Sequence, residues 1–267
     1  MGRDRQVSTT SGRSVVLTRE GDTARVMLNR PHRLNALNRD LVFELEDAVQ
    51  QASTSGAIVL TGAGRAFCAG EDLMDGLGIE GDGGAGLREA LMALQRVTQA
   101  LVAFPGPVVA AVAGYAVGGG AELALAADFV ICAPGAQFRF PEVPLGYAHT
   151  GGVTQRLAAT VGLGRAKELL LTGRWLGADE AKLIGLVAEV VVDAENRAIE
   201  LAGEIARYPR RSVEAAKRSV ELAGGSALDA ALYREVDAAM WCFASTEAEA
   251  SFERFRRHTG SQPVSDV

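Results

Sequence analysis

The chain is poor in the residues that build disulfide, metal or nucleic-acid sites. Its 267 residues include three cysteines (Cys68, Cys132 and Cys242) and three histidines (His32, His149 and His258), each set widely scattered. An odd and dispersed cysteine set makes no disulfide framework, and neither residue type shows ligand spacing, so no metal site is expected. The cysteines read as small buried hydrophobes of a protein kept in a reducing cytoplasm. Positive charge is also in deficit. Against 33 Asp and Glu stand 27 Lys and Arg, a net charge of −6, which argues against a nucleic-acid partner because that would need a basic face. No apolar run approaches the roughly 20 residues of a membrane span, since charges, Gly or Pro interrupt each one. Residues 1–13 are polar and lack the apolar stretch of a secretory leader. Phosphate-loop, His-Glu-x-x-His and Gly-x-Ser-x-Gly signatures are missing as well.

What is present is enough for a packed core: 48% apolar and 22% charged residues. The pattern is strand and helix in alternation, an α/β chain. Strands are predicted over 14–20 and 24–28, joined by a Gly21-Asp22 turn, and over the wholly apolar run 57–61. Between them a helix runs to about Ala52, capped by Asn38 or Asn35. Residues 74–86 hold six glycines with almost no periodicity and read as a mobile loop. The formal Gly81-x-Gly83-x-x-Gly86 match inside it follows no strand and reads as chance. A helix over 87–103, strands over 108–113 and 129–133, helices over 164–172 and 178–184, and a strand over 186–192 follow. From Asn196 to about Arg257 strand signals cease and long Ala/Glu/Arg helices take over. This predicts a catalytic core over 14–195, a helical region over 196–258, and frayed tails at 1–13 and 259–267.

The informative stretch begins at a buried strand running into Gly118-Gly119-Gly120, with a short helix expected over 121–127. One glycine suffices for a tight turn; three at a helix start leave backbone N–H groups open to an incoming oxygen. Phe67-Cys68-Ala69-Gly70-Glu71-Asp72 is a second turn of this kind after a buried strand. Two such turns can each offer one N–H to a single carbonyl oxygen, as in an oxyanion hole. Glu122 opens the short helix, and Glu142 follows the next strand. Taken singly, one reads as a helix-dipole acid and the other as a solvated surface residue. Against those readings, both stand in apolar surroundings, AELALAA and FPEVPLG. Two carboxylates in one apolar pocket acquire separated proton affinities and can do general acid and base work.

At this point the chain resembles the enoyl-CoA hydratase (crotonase) family, over nearly its whole length. The resemblance rests on Asn29-Arg30-Pro31, Asn35-Ala36-Leu37, Ala66-Phe67-Cys68-Ala69-Gly70-Glu71-Asp72-Leu73, the run Pro107 to Leu123, and Phe140-Pro141-Glu142-Val143 with Leu145-Gly146. Thr154-Gln155-Arg156-Leu157, Leu171-Thr172-Gly173 and Ala181-Lys182 with Gly185-Leu186-Val187 extend it. It implies a crotonase-like spiral of ββα turns with a C-terminal helical subdomain, assembled as a trimer or a dimer of trimers. It implies that the N–H groups of Glu71 and Gly119 hold the thioester oxygen. Ala69, Gly70, Asp72, Leu73, Gly118 and His149 would lie along the acyl-CoA pocket.

Glu122 and Glu142 fall on the hydratase pair, which favours syn addition of water to a 2-enoyl-CoA, with Glu122 as base and Glu142 as proton donor to C2. Isomerisation, hydration with retro-aldol cleavage, or a catalytically silent acyl-CoA-binding relative are the alternatives. No cofactor is implied, and coenzyme A enters as part of the substrate. Two positions depart from the family's pattern. His149 stands where proline is common, and is expected at the acyl end of the pocket, apart from the proton-transfer step. His258 stands where hydratases often carry a CoA-directed lysine, with Ala250-Ser251 in place of an acidic-Gly pair.

Overall fold

A computed structural model describes residues 12–72, 85–223 and 228–244. The chain opens with β1 (Val15–Glu20) and β2 (Thr23–Leu28), an antiparallel hairpin turned at Gly21-Asp22. Helix α1 (Arg39–Ala52) follows. Asn38, not Asn35, is its cap, accepting from Leu41 N at 3.1 Å.

Three turns of similar plan come next. β3 (Ala57–Gly62) and β4 (Ala66–Cys68) lead to α2 (Ala85–Ala103). β5 (Val108–Val112) and β6 (Tyr115–Val117) lead to α3 (Gly119–Leu125). β7 (Phe129–Cys132) and β8 (Gln137–Arg139) lead to α4 (Val153–Val161) and α5 (Leu163–Thr172). The chain continues through β9 (Leu176–Gly177), α6 (Ala178–Leu183), β10 (Glu189–Val190), α7 (Ala194–Ala206), α8 (Arg210–Ala223) and α9 (Leu228–Phe243). In each turn the first strand joins a six-stranded sheet, ordered β1-β2-β3-β5-β7-β10, and the second joins a smaller sheet, ordered β4-β6-β8-β9. Both sheets therefore grow one strand per turn in the same direction, and the chain winds as a spiral.

The central strands are buried on both faces, which is why they read as continuous apolar runs. Alternate residues sort to opposite sides. Ile58, Leu60, Val108, Ala110 and Val112 join the main core with α1 and α2, while Ala57, Val59, Val109, Ala111 and Ile131 meet Ala194, Ala198 and Ala202 of α7. The helical stretch expected from Asn196 thus starts at Ala194, and its first helix covers the sheet instead of standing apart from it. Helix α3 begins at Gly119, two residues earlier than expected, and the strand expected over 186–192 shrinks to β10. The short strands of the small sheet were not anticipated, since three residues carry too little pattern. The loop expected over 74–86 lies outside the described residues up to 84, and Ala85 and Gly86 already belong to α2. Leu73, His258, Ala250-Ser251, residues 1–11 and residues 259–267 also lie outside the described residues.

Asn35 has a larger task than a cap. It is wholly buried with φ 57°. Its side-chain amide donates to the carbonyls of Ala63, Ala66 and Phe67, and its Oδ1 accepts from Arg30 N. It therefore holds the segment leading to Leu37 against the β3–β4 connection. Asn35→Ala leaves these groups unsatisfied and places a Cβ-only side chain in the left-handed region, so it should lower unfolding free energy by about 3 kcal/mol. Urea denaturation checks this, and a loss within ~0.5 kcal/mol would show that the junction does not depend on the amide.

Candidate active site

The two turns singled out in the sequence are neighbours in space. Leu37 pairs in parallel with the 70–72 segment, Leu37 N donating to Gly70 O at 2.7 Å and Asp72 N to Leu37 O at 2.9 Å. In an extended segment alternate N–H groups point to opposite sides, so the Glu71 N–H is turned away from Leu37. Ala69 N is held by Leu34 O, and a Cβ on Gly70 would stand 2.8 Å from Val117 O, so this turn packs directly on the other. Asp72, expected along the substrate pocket, is instead drawn into a buried ion pair with Arg30 at 3.0 Å. It braces the turn from behind.

Across from it, Gly118 adopts φ 51°, and Gly119 opens α3 with one of the N–H groups that a helix start leaves without an intrahelical partner. Gly120 packs so closely on β4 that a Cβ would stand 2.3 Å from Cys68 O. The triple glycine thus serves close approach as well as open donors. The half-buried Glu71 carboxylate accepts from its own backbone N–H. Its oxygens lie 3.6 Å from where a Cβ on Gly118 or Gly119 would be, which fills the space between the turns.

Beside the turns stand the two glutamates, both buried. Glu122 Oε1 accepts from Thr150 N at 2.9 Å and Oε2 from Thr150 Oγ1 at 2.7 Å. Glu142 Oε2 lies 2.8 Å from His149 Nδ1. That approach lacks hydrogen-bond alignment, and among the described residues neither Glu142 oxygen nor His149 Nδ1 has a hydrogen bond. Ligand atoms of Glu122, Glu142 and His149 lie within 4.8 Å of one another, so these three could hold a cation. Reading the histidines as scattered along the chain missed this convergence. His149, expected at the acyl end of the pocket, lies with its ring against Glu142.

Burial foremost, then the charges of Glu142 and Glu71, raises the Glu122 carboxyl well above its usual range, while the two Thr150 donors pull it back. Burial and then the Glu142 charge push Glu71 up to about 7. Burial likewise raises the thiols of Cys68, to about 12, and Cys132, to about 11.

Two supporting residues were not foreseen. Thr150 is the cradle of Glu122. Glu235 of α9 accepts from Gly152 N, Thr154 N and Thr154 Oγ1 at 2.7, 3.0 and 2.5 Å. It thereby anchors the loop that carries His149 and Thr150. A charged residue between Leu232, Val236 and Ala239 on a helix was the available signal.

Buried carboxyl groups gathered beside backbone donors in a spiral α/β core are an arrangement able to do acid–base chemistry. The chain belongs to the enoyl-CoA hydratase/isomerase family, whose profile matches residues 18–260. A short-chain-enoyl-CoA hydratase of Clostridium acetobutylicum is 36% identical over 248 residues, 91% of this chain and 94% of that protein. A crotonyl-CoA hydratase of Syntrophomonas wolfei shows the same identity and coverage. The crystal structure of an enoyl-CoA hydratase/isomerase from Mycobacterium paratuberculosis superposes with a TM-score of 0.85 at 29% identity, covering 92% of this chain and all of that one.

The crowding has a measurable effect on stability. Folding raises the Glu71 carboxyl from 4.5 to about 7. Between those values the native state keeps a proton that the unfolded chain has lost, so this group's contribution to stability falls as pH rises through the window. Glu71→Gln, which cannot ionise, should therefore melt higher than wild type at pH 8, on the order of 3 °C, and lose the advantage below pH 4.5. Parallel melting curves of the two proteins across that range would refute it.

Proposed function

We propose that this protein adds water syn across the double bond of a 2-enoyl-CoA thioester. The observation that carries the reading is the pair Glu122 and Glu142, buried side by side next to the Glu71 and Gly119 turns. The thioester oxygen would displace the Glu71 carboxylate and take the N–H groups of Glu71 and Gly119. These donors stabilise the enolate charge that develops as water attacks C3. Glu122 takes a proton from the water. Burial makes it a stronger base than a solvated carboxylate, while Thr150 favours its ionised form. Glu142, which no donor ties down in that way, gives a proton to C2. The atoms balance: hydroxyl at C3, hydrogen at C2, one water consumed.

Names borne by the relatives, short-chain and crotonyl, support a short acyl group. Coenzyme A is part of the substrate, and the proposed step uses no further cofactor. Free cysteines support a cytoplasmic setting.

Glu142→Gln and Glu122→Gln should each lower kcat for crotonyl-CoA hydration by about 10²–10⁴-fold, with KM nearly unchanged. Loss of the enoyl absorbance reports the rate. A wild-type rate in either variant removes that glutamate from the mechanism, and no hydration by the wild type sinks the reading.

Trp241 and Tyr233 of α9 are 80% and 61% exposed in the single chain. Aromatic surface of that kind on one helix supports burial against further copies, and we assign a trimer or dimer of trimers. Light scattering coupled to size exclusion should give a mass of three or six chains; a monomer overturns the assignment.

A further inference from the structure

We propose that Glu235 is the positioning residue of Glu122. By capping α4 from α9 it fixes the segment 150–152, and with it the direction of the Glu122 carboxyl group. The effect on turnover rests on the hydratase reading above; the fixing of the segment does not.

The argument starts at the first turn of α4. Its N-cap position is Gly152, in the left-handed region at φ 75°, and a glycine has no side chain with which to cap. The N–H groups at a helix start still need acceptors, and that end carries partial positive charge. A carboxylate brought from elsewhere meets both needs. Glu235, 83 residues further along the chain, accepts from Gly152 N through Oε2 at 2.7 Å. Its Oε1 accepts from Thr154 N at 3.0 Å and from Thr154 Oγ1 at 2.5 Å, and Gln95 of α2 gives a further donor. The start of α4 is thus held by a buried charge on a distant helix.

From that cap the path to Glu122 is short. Val153 N donates to Thr150 O at 3.1 Å, which ties Thr150 to the same helix start. Thr150 in turn holds both oxygens of the Glu122 carboxyl group, through its N–H at 2.9 Å and its hydroxyl at 2.7 Å. The residues between are closely packed on both sides. A Cβ on Gly151 would stand 2.7 Å from Glu122 Cβ, and one on Gly152 2.7 Å from Leu228 Cδ1 of α9. At the other end of the loop the Tyr147 ring lies against Phe243 of α9, with centroids 4.9 Å apart. Helix α9 therefore grips this loop at both ends. Because Glu235 acts through Thr150, its loss should weaken the chemical step more than substrate binding.

The test is a double-mutant cycle of Glu235→Gln and Thr150→Val, read in hydration of crotonyl-CoA, with hydrogen exchange as a second arm. Glu235→Gln keeps the shape but turns an NH2 group toward one of the helix-start donors. It should lower kcat about 10- to 100-fold, with KM within about twofold. Thr150→Val, which removes the hydroxyl donor, should also lower kcat. The double variant should be no more than about threefold slower than the slower single one. Losses that multiply overturn the proposal, because Glu235 would then not act through Thr150. An unchanged kcat with a lowered melting temperature makes Glu235 merely structural and overturns it as well.

Hydrogen exchange of the ligand-free protein, followed by mass spectrometry, needs no activity. Residues 148–156 should exchange about fivefold faster or more in Glu235→Gln, while α1 stays as in the wild type. Unchanged exchange over 148–156, or an equal acceleration throughout the chain, overturns the fixing of the segment. If Glu235→Gln does not fold, Thr154→Val, which removes one bond to Glu235, carries both arms with a loss in kcat of about threefold. A wild type that does not hydrate crotonyl-CoA fails the hydratase reading and leaves the exchange arm to decide whether Glu235 fixes the segment.

Discussion

Glu71, Glu122 and Glu142 are packed closely enough that burial and the neighbouring carboxylates raise the cost of charging Glu122 and Glu71. Much of the local architecture answers that repulsion. Thr150 spends a backbone and a hydroxyl donor on Glu122, His149 faces Glu142, and Glu71 turns back on its own N–H. The loop supplying Thr150 and His149 is in turn anchored by Glu235, itself a buried carboxyl raised by desolvation and offset by donors from Thr154, Gly152 and Gln95. Concentrating proton-exchanging groups therefore shapes structure well beyond the groups themselves. The helix that carries Glu235 lies some 110 residues downstream of Glu122 in the chain, yet the order of the site depends on both.

The spiral provides the rigidity that such crowding requires. The larger sheet is covered on one side by α1 and α2 and on the other by the alanine face of α7. The short strands β4 and β6 pair in parallel in the smaller sheet and bring the Glu71 and Gly119 turns side by side. Their separation is set by contacts with no slack, Gly70 against Val117 and Gly120 against Cys68. Backbone contacts of this sort change little with side-chain motion and hold the two turns at a fixed separation.

Much of this was legible in the sequence, for reasons that can be named. The buried strands β3, β5 and β7 announce themselves because burial on both faces demands uninterrupted apolar runs. The catalytic candidates Glu122 and Glu142 stood out as carboxyls in apolar sequence, where a solvated role makes little sense. What stayed hidden depends on side-chain direction or on long-range contact. The pairing of Asp72 with Arg30 was not visible, since 42 residues separate them. Asn35 looked like an alternative cap, although its amide serves three distant carbonyls. The closeness of His149 to Glu142 was hidden because separation in sequence says nothing about which way a loop turns the ring. Periodicity also overstated the independence of the helical end, since the alanines of α7 are as suited to covering a sheet as to packing in a separate bundle.

Cys68 has a chemical consequence of its own. It lies in the same short turn as Glu71, yet is fully enclosed, and its thiol is pushed up to about 12. At neutral pH only about one such thiol in 10⁵ is a thiolate. A 2-enoyl thioester is a Michael acceptor, an electrophile that alkylates thiolates readily. A sulfur nucleophile placed here would be consumed by the molecule the site is built to receive. Full burial and the close packing of Gly120 keep the sulfur out of reach of such an electrophile.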